Sequence, residues 1–141
     1  MRISTICQQT TLLVLLTSFA IICSGCSDGR SSVSGTVTLD GQPLTKTDQR
    51  TVTIMFTPES GGAAASALVD ESGSFTLYTG AKAGLDPGKY VVTLAAVEAS
   101  ATGKRLVAPE RYTDPTQSDL RAEVVPGSNE FDFDLTAKPG G

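Results

Sequence analysis

Two cysteines three residues apart, Cys23 and Cys26 in the stretch CSGC, are the first candidates for chemistry in this sequence. A CxxC pair binds zinc when a second pair of ligands completes the site, and it exchanges disulfides when a redox fold surrounds it. The sequence offers no second ligand pair, because it has no histidine and its third cysteine, Cys7, lies in the same N-terminal region. The residues therefore disfavour both a zinc site and a thioredoxin-like site.

The residues around CSGC favour processing during export. Residues 11–22, TLLVLLTSFAII, form an apolar run that would extend only about 18 Å as a helix. This is too short for a bilayer core of about 30 Å, but it is typical of the h-region of a secretory signal. Small residues precede Cys26 as in a bacterial lipobox, although Cys23 stands where leucine is usual. We predict a signal peptide over residues 1–25 and lipidation of Cys26.

The predicted lipid group and the charge balance together indicate partners and location. Two or three acyl chains on Cys26 would form a stable membrane anchor, so the expected location is the extracytoplasmic face of a cell-envelope membrane. The chain has 11 basic and 15 acidic residues, and this acidic balance disfavours nucleic acid as a partner. We expect a protein of the envelope as the partner, a flexible tether over residues 26–32 and a disordered tail over residues 136–141.

Between tether and tail, apolar residues alternate with polar ones, which predicts strands with one buried face. Turn residues separate seven such segments: 33–39, 51–57, 65–69, 74–79, 89–97, 120–125 and 130–135. The turn DESG predicts a hairpin between the third and fourth segments. We predict one all-β domain over residues 33–135, an antiparallel Greek-key β-sandwich of about seven strands, with a β-barrel as the alternative.

Five motifs occur in series along the predicted domain: VSGTVTLDGQPL, ASALVDESGSFTL, LDPGKYVVTL, RYTDP and EVVPGSNEFDFDL. Together they resemble the small exported lipoproteins, abundant in planctomycete bacteria, that have a carboxypeptidase regulatory-like or transthyretin-like domain. The resemblance implies a prealbumin-like sandwich of about seven strands without peptidase activity. The hydroxyisourate hydrolases and intradiol dioxygenases of the wider prealbumin-like group act through histidines, which this chain lacks. We therefore expect no enzyme activity, no catalytic residue and no cofactor.

The last predicted strand carries a candidate cation site. Phe131, Phe133 and Leu135 are expected to point inward and Asp132 and Asp134 outward, with Glu130 two residues earlier. Carboxylates two residues apart on a strand lie roughly 7 Å from each other, close enough to share a calcium ion if loops add oxygen ligands. The alternative is a charged outer face that keeps an edge strand soluble, and we assign no metal ligand here.

The segment from Glu98 to Asp119 is long for a connection within a compact domain, and it is the candidate recognition loop. Arg111, Tyr112 and Asp114 are its candidate binding residues. In the alternative interpretation, the Tyr112 ring covers an open end of the sandwich. The sequence thus favours a noncatalytic structural or protein-binding module, with a ligand- or cation-binding accessory module of an exported hydrolase system as the alternative.

Overall fold

The structure, a computed structural model, describes residues 29–138 of the chain. The described residues form one 3-10 helix, Glu110–Thr113, and eleven strands: β1 (Ser32–Leu39), β2 (Gln42–Pro43), β3 (Arg50–Pro58), β4 (Ala65–Leu68), β5 (Ser74–Thr76), β6 (Tyr78–Thr79), β7 (Lys82–Ala83), β8 (Gly88–Ser100), β9 (Gly103–Leu106), β10 (Arg121–Val124) and β11 (Ser128–Leu135). Within residues 29–138, no helix has the length and apolar character needed to cross a membrane.

The strands form two sheets that pack into a sandwich. In the smaller sheet, β1 is central: it pairs with β11 on one side and with β2 and β5 on the other. In the larger sheet the order is β10-β8-β3-β4-β6-β7, and β9 pairs with the far end of β8. The predicted all-β sandwich is confirmed, and each of the seven predicted strands is present within the described residues.

One pair departs from the expected antiparallel arrangement. β11 runs parallel to β1, with Ser32 opposite Ser128 and Leu39 opposite Leu135. The reason is the path of the chain: β10 belongs to the larger sheet, and the connection at Gly127 carries the chain across to the smaller sheet. The chain enters the smaller sheet at the end where β1 begins, so the two strands run in the same direction.

The predicted hairpin around DESG forms only in part. Asp70 N donates to Ser74 O over 2.8 Å, and Ser66 pairs with Tyr78, so both ends keep the register of a hairpin. Between these points β5 leaves β4 and pairs with β1 in the other sheet. The segment 74–79 therefore joins the two sheets, because its first half extends one sheet and its second half the other.

Three boundaries in the sequence prediction are wrong. Ser31 and Ser32 belong to the fold rather than to the tether, since Ser31 pairs with Leu85 and Ser32 begins β1. The segment 98–119 is not one long loop, because β8 and β9 form a hairpin and the 3-10 helix follows. The predicted disordered tail begins too early, because Thr136 and Ala137 are hydrogen-bonded to the fold. The predicted signal peptide, residues 26–28 of the predicted tether, among them Cys26, and residues 139–141 of the predicted tail lie outside the described residues.

The core is built around Phe56 of β3, which is fully buried between the sheets. Its ring lies 6.0 to 6.2 Å from four other aromatic rings, those of Phe75, Tyr90, Phe131 and Phe133. Tilted and edge-on pairs at this spacing add to the stabilisation that apolar burial provides. Phe131 and Phe133, the aromatic residues that the sequence predicted to point inward from the last strand, therefore both belong to this cluster.

Candidate interaction surfaces

Tyr112 lies in the 3-10 helix and closes one end of the sandwich. Its side chain is 3% exposed, and its hydroxyl accepts hydrogen bonds from the Arg111 guanidinium (2.7 Å) and from the backbone N–H of Thr136 (3.2 Å). Arg111 also lies 4.4 Å from the centre of the Tyr112 ring and donates to the carbonyl of Thr136 over 2.7 Å. Two of the three candidate recognition residues thus tie the 3-10 helix to the segment after β11.

The third candidate, Asp114, holds the turn that follows the helix. Its carboxylate accepts hydrogen bonds from the hydroxyl (2.7 Å) and the N–H (2.8 Å) of Thr116 and from the side chain of Gln117 (3.1 Å). The hydroxyl and N–H of Thr116 hold the pKa of Asp114 below its ordinary value. Burial raises the pKa of Tyr112, but the donors from Thr136 and Arg111 outweigh it and leave that pKa lowered. The hydrogen bonds of Tyr112 and Asp114 thus stabilise the end of the sandwich where β11 finishes.

The acidic face of β11 is paired with hydroxyl groups of β1. Thr36 donates to Asp132 over 2.6 Å and Thr38 donates to Asp134 over 2.7 Å, because the parallel register places these residues side by side. Among residues 29–138, no group of three or more histidine, cysteine, aspartate or glutamate side chains is placed to hold a metal ion. The arrangement matches the alternative interpretation of this strand, a polar outer face on an edge strand.

A cluster of ion pairs that the sequence did not predict lies at the β8–β9 hairpin. The Glu98 carboxylate accepts from Arg50 over 2.9 Å on one oxygen and from Arg105 on the other. Hydrogen bonds from Arg50 and then from Arg105 hold the pKa of Glu98 below its ordinary value. The cluster fastens β9 and the start of β3 to β8, so its role is structural.

A cleft of about 190 Å³ lies at the end of the sandwich where the described chain begins. Its lining includes Arg30, the loop after β3, and the segment from Leu85 to Tyr90. The Tyr90 hydroxyl donates to the backbone carbonyl of Asp86 over 2.7 Å, and burial together with the negative charge of Asp86 raises the pKa of Tyr90. The residues that line the cleft include two cationic residues, Arg30 and Lys89, one acidic residue, Asp86, and the glycines Gly61 and Gly62. Such a lining suits an anionic or polar group.

The outer face of the larger sheet exposes apolar side chains. Met55 is 41% exposed, Leu68 is 62% exposed and Tyr78 is 48% exposed. The register places them together: Met55 and Tyr78 both flank Ser66, and Leu68 lies two residues further along β4, on the same face. We call this surface the apolar face, and it continues across the sheet through three further residues: Ala95, Val97 and Leu106.

Sequence reasoning missed both the cleft and the apolar face. Part of the apolar face was visible in the sequence, because Met55 and Leu68 occupy outward positions in strands whose inward positions are already apolar. The cleft left no comparable signal, since its lining comes from segments about 30 residues apart in sequence.

A scan against protein-family models finds no match, and a search of the curated proteins finds none either. Among solved structures, the chain is similar to a variant of BcpA, the major pilin subunit of Bacillus cereus, with a TM-score of 0.49 and 11% sequence identity. The similarity covers 75% of this chain, which spans about 30% of the pilin's length. The two packed sheets of residues 29–138 make this part of the chain a β-sandwich domain.

Proposed function

We propose that this protein is an exported lipoprotein, held at a cell-envelope membrane by acyl chains on Cys26, and that its noncatalytic sandwich binds another envelope protein. The resemblance to planctomycete lipoproteins with a carboxypeptidase regulatory-like domain supports the same proposal. The observation that carries the proposal is the apolar run of residues 11–22 followed by CSGC, the pattern of a lipoprotein signal peptide. Among residues 29–138, pairing begins at Ser31, which exchanges backbone hydrogen bonds of 2.7 and 2.9 Å with Leu85.

The apolar face supports protein binding as the role of the sandwich. Exposed apolar side chains that lie together on one surface, rather than singly, often mark a site of protein association. A flat sheet face with a methionine, a leucine and a tyrosine offers apolar area, an adaptable thioether and a polar hydroxyl to a partner.

The alternative, a ligand- or cation-binding accessory module, has less support. The cleft at Arg30, about 190 Å³, is smaller than the roughly 300–1,000 Å³ of most small-molecule pockets, and a depression of about 470 Å³ that falls within this range is lined by Lys46 and residues 68–72 and so adjoins the apolar face. On β11, the carboxylates of Asp132 and Asp134 accept hydrogen bonds from Thr36 and Thr38. We therefore conclude in favour of protein binding.

Intact mass and detergent partitioning in a bacterial host test the anchor. The wild type is expected to lose residues 1–25, gain the mass of a lipid group and enter the detergent phase, whereas Cys26→Ala should do none of these. A wild type that is cut but gains no lipid, and stays in the aqueous phase, would refute the anchor.

Site-specific photo-cross-linking tests the binding surface. A photoreactive residue at Leu68 on the apolar face is expected to give a discrete cross-linked product in native envelopes. The matched control is Ser34, which is exposed on the outer face of β1 in the other sheet. Equal yields at the two positions would show that the apolar face is not the binding surface.

A further inference from the structure

We propose that the cleft end of the sandwich faces the membrane that carries the protein, and that Arg30 and Lys89 contact phospholipid phosphates there. This inference deepens the proposed function, since it rests on an anchor at Cys26. It adds an orientation and a second partner, the headgroup layer of the same membrane.

The first argument is the length of chain between anchor and fold. Five peptide units separate Cys26 from Ser31, the first paired residue, and a fully extended chain spans at most about 3.6 Å per residue. The fold therefore begins within about 18 Å of the lipid attachment point. This linker is two residues shorter than the tether predicted from sequence, residues 26–32.

The second argument is which part of the fold the short linker holds near the membrane. Arg30 is one residue before the first pair and lines the cleft together with Lys89. The opposite end of the sandwich, where β3 begins, lies one strand length away, about 26 Å at roughly 3.3 Å per residue. The linker can therefore hold the cleft end against the headgroups while the opposite end points away.

The third argument is the distribution of charge over the described residues. The chain is acidic overall, but two basic residues, Arg30 and Lys89, and one acidic residue, Asp86, line the cleft. On the outer face of β11, Glu130 lies opposite Ser34, near the cleft end, whereas Asp132 and Asp134 lie opposite Thr36 and Thr38, progressively further from a membrane at that end. Basic side chains next to a membrane surface bind the phosphates of its lipids, and acidic ones turn away from them.

In the test, Cys26 is coupled chemically to a vesicle lipid, so that no host enzyme is needed to attach the protein to the membrane. A chain beginning at Cys26 is the mature chain of the proposed lipoprotein and has one thiol, which couples to a maleimide lipid. The vesicles contain equal parts phosphatidylcholine and phosphatidylglycerol, with a nitroxide on the headgroup of a minor lipid. Because the sequence has no tryptophan, a single introduced tryptophan reports the distance to the headgroups by the quenching of its fluorescence.

Three exposed positions carry the reporter. Ala63→Trp marks the cleft end, Asp48→Trp marks the opposite end, and Leu68→Trp marks the apolar face. Strong quenching is expected at position 63, with little at positions 48 and 68. Equal quenching at positions 63 and 48 would overturn the proposed orientation, and the strongest quenching at position 68 would show that the apolar face meets the membrane instead.

Charge removal tests the contact itself. In the Ala63→Trp protein, Arg30→Gln and Lys89→Gln are each expected to lower the ratio of membrane-facing to free orientations about fivefold, with a smaller effect at high salt. The matched controls, Lys46→Gln and Lys104→Gln, remove exposed cations from the opposite end and should leave quenching unchanged. An equal loss in all four variants would show that net charge, not the cleft, is responsible.

The two proposals can fail separately. If the host does not lipidate Cys26 but the coupled protein still orients, the lipoprotein proposal is wrong and the surface preference stands. If the host lipidates Cys26 but quenching does not differ between positions, the anchor stands and the orientation is wrong.

Discussion

Gly35 in the middle of β1 gives the sharpest stability prediction. A Cβ at this position would lie 1.8 Å from the carbonyl oxygen of Phe131 in β11 and 3.0 Å from the Phe75 ring. Ordinary contacts between carbon and oxygen are about 3.3 Å or longer, so the two backbones must separate by more than 1 Å to admit the methyl group. Gly35→Ala is therefore expected to disrupt the β1–β11 pair.

The magnitude follows from three contributions. Overpacking a core costs about 1–3 kcal/mol, and each backbone hydrogen bond that is weakened costs about 1 kcal/mol more. The replacement of glycine by alanine returns about 0.5–1 kcal/mol by restricting the unfolded chain. With two such bonds weakened, the net loss is about 2–4 kcal/mol, which corresponds to a fall in Tm of roughly 8–30 °C for a domain of this size.

Thermal and urea unfolding followed by circular dichroism measure this loss. The matched control is Ser34→Ala, the adjacent exposed residue on the opposite face of β1, which should change stability by less than about 0.5 kcal/mol. If Gly35→Ala unfolds within 2 °C of the wild type, about the uncertainty of the control, then β11 does not lie against β1 in this register.

Two further predictions concern the polar groups. Tyr112→Phe removes the acceptor of Thr136 N–H and of Arg111, so chemical unfolding should show a loss of about 1–3 kcal/mol; a change below 0.5 kcal/mol would mean that water replaces the hydroxyl. The pKa of Asp70 is lowered by the Ser72 hydroxyl and by backbone N–H groups, like the lowered pKa values of Asp114 and Glu98. Since a carboxyl group with a depressed folded pKa stabilises the fold above its unfolded pKa, Tm should hold above about pH 4 and fall as the pH drops through the folded pKa values. The fall should be smaller in Asp70→Asn, and an equal fall in that variant would show that Asp70 does not contribute.

The sequence determined the local features of this protein. Alternation with a period of two depends only on neighbouring residues, and it correctly placed seven strands and the inward aromatic residues Phe131 and Phe133. The turn at Gly73 was equally visible, because its positive φ is a property that glycine adopts without strain. The candidate processing site at Cys26 is likewise a matter of adjacent residues, and it stays a prediction.

Tertiary structure decided which strands pair and in which register. Thr36 and Asp132 are 96 residues apart, and nothing local fixes whether β11 lies parallel or antiparallel to β1. The parallel register explains why position 35 is glycine. It also explains why Asp132 and Asp134 of β11 accept hydrogen bonds from Thr36 and Thr38 of β1. The burial of Tyr112, the cleft beside Arg30 and the apolar face all depend on the same long-range pairing, because each is formed by segments that meet only when the two sheets have packed.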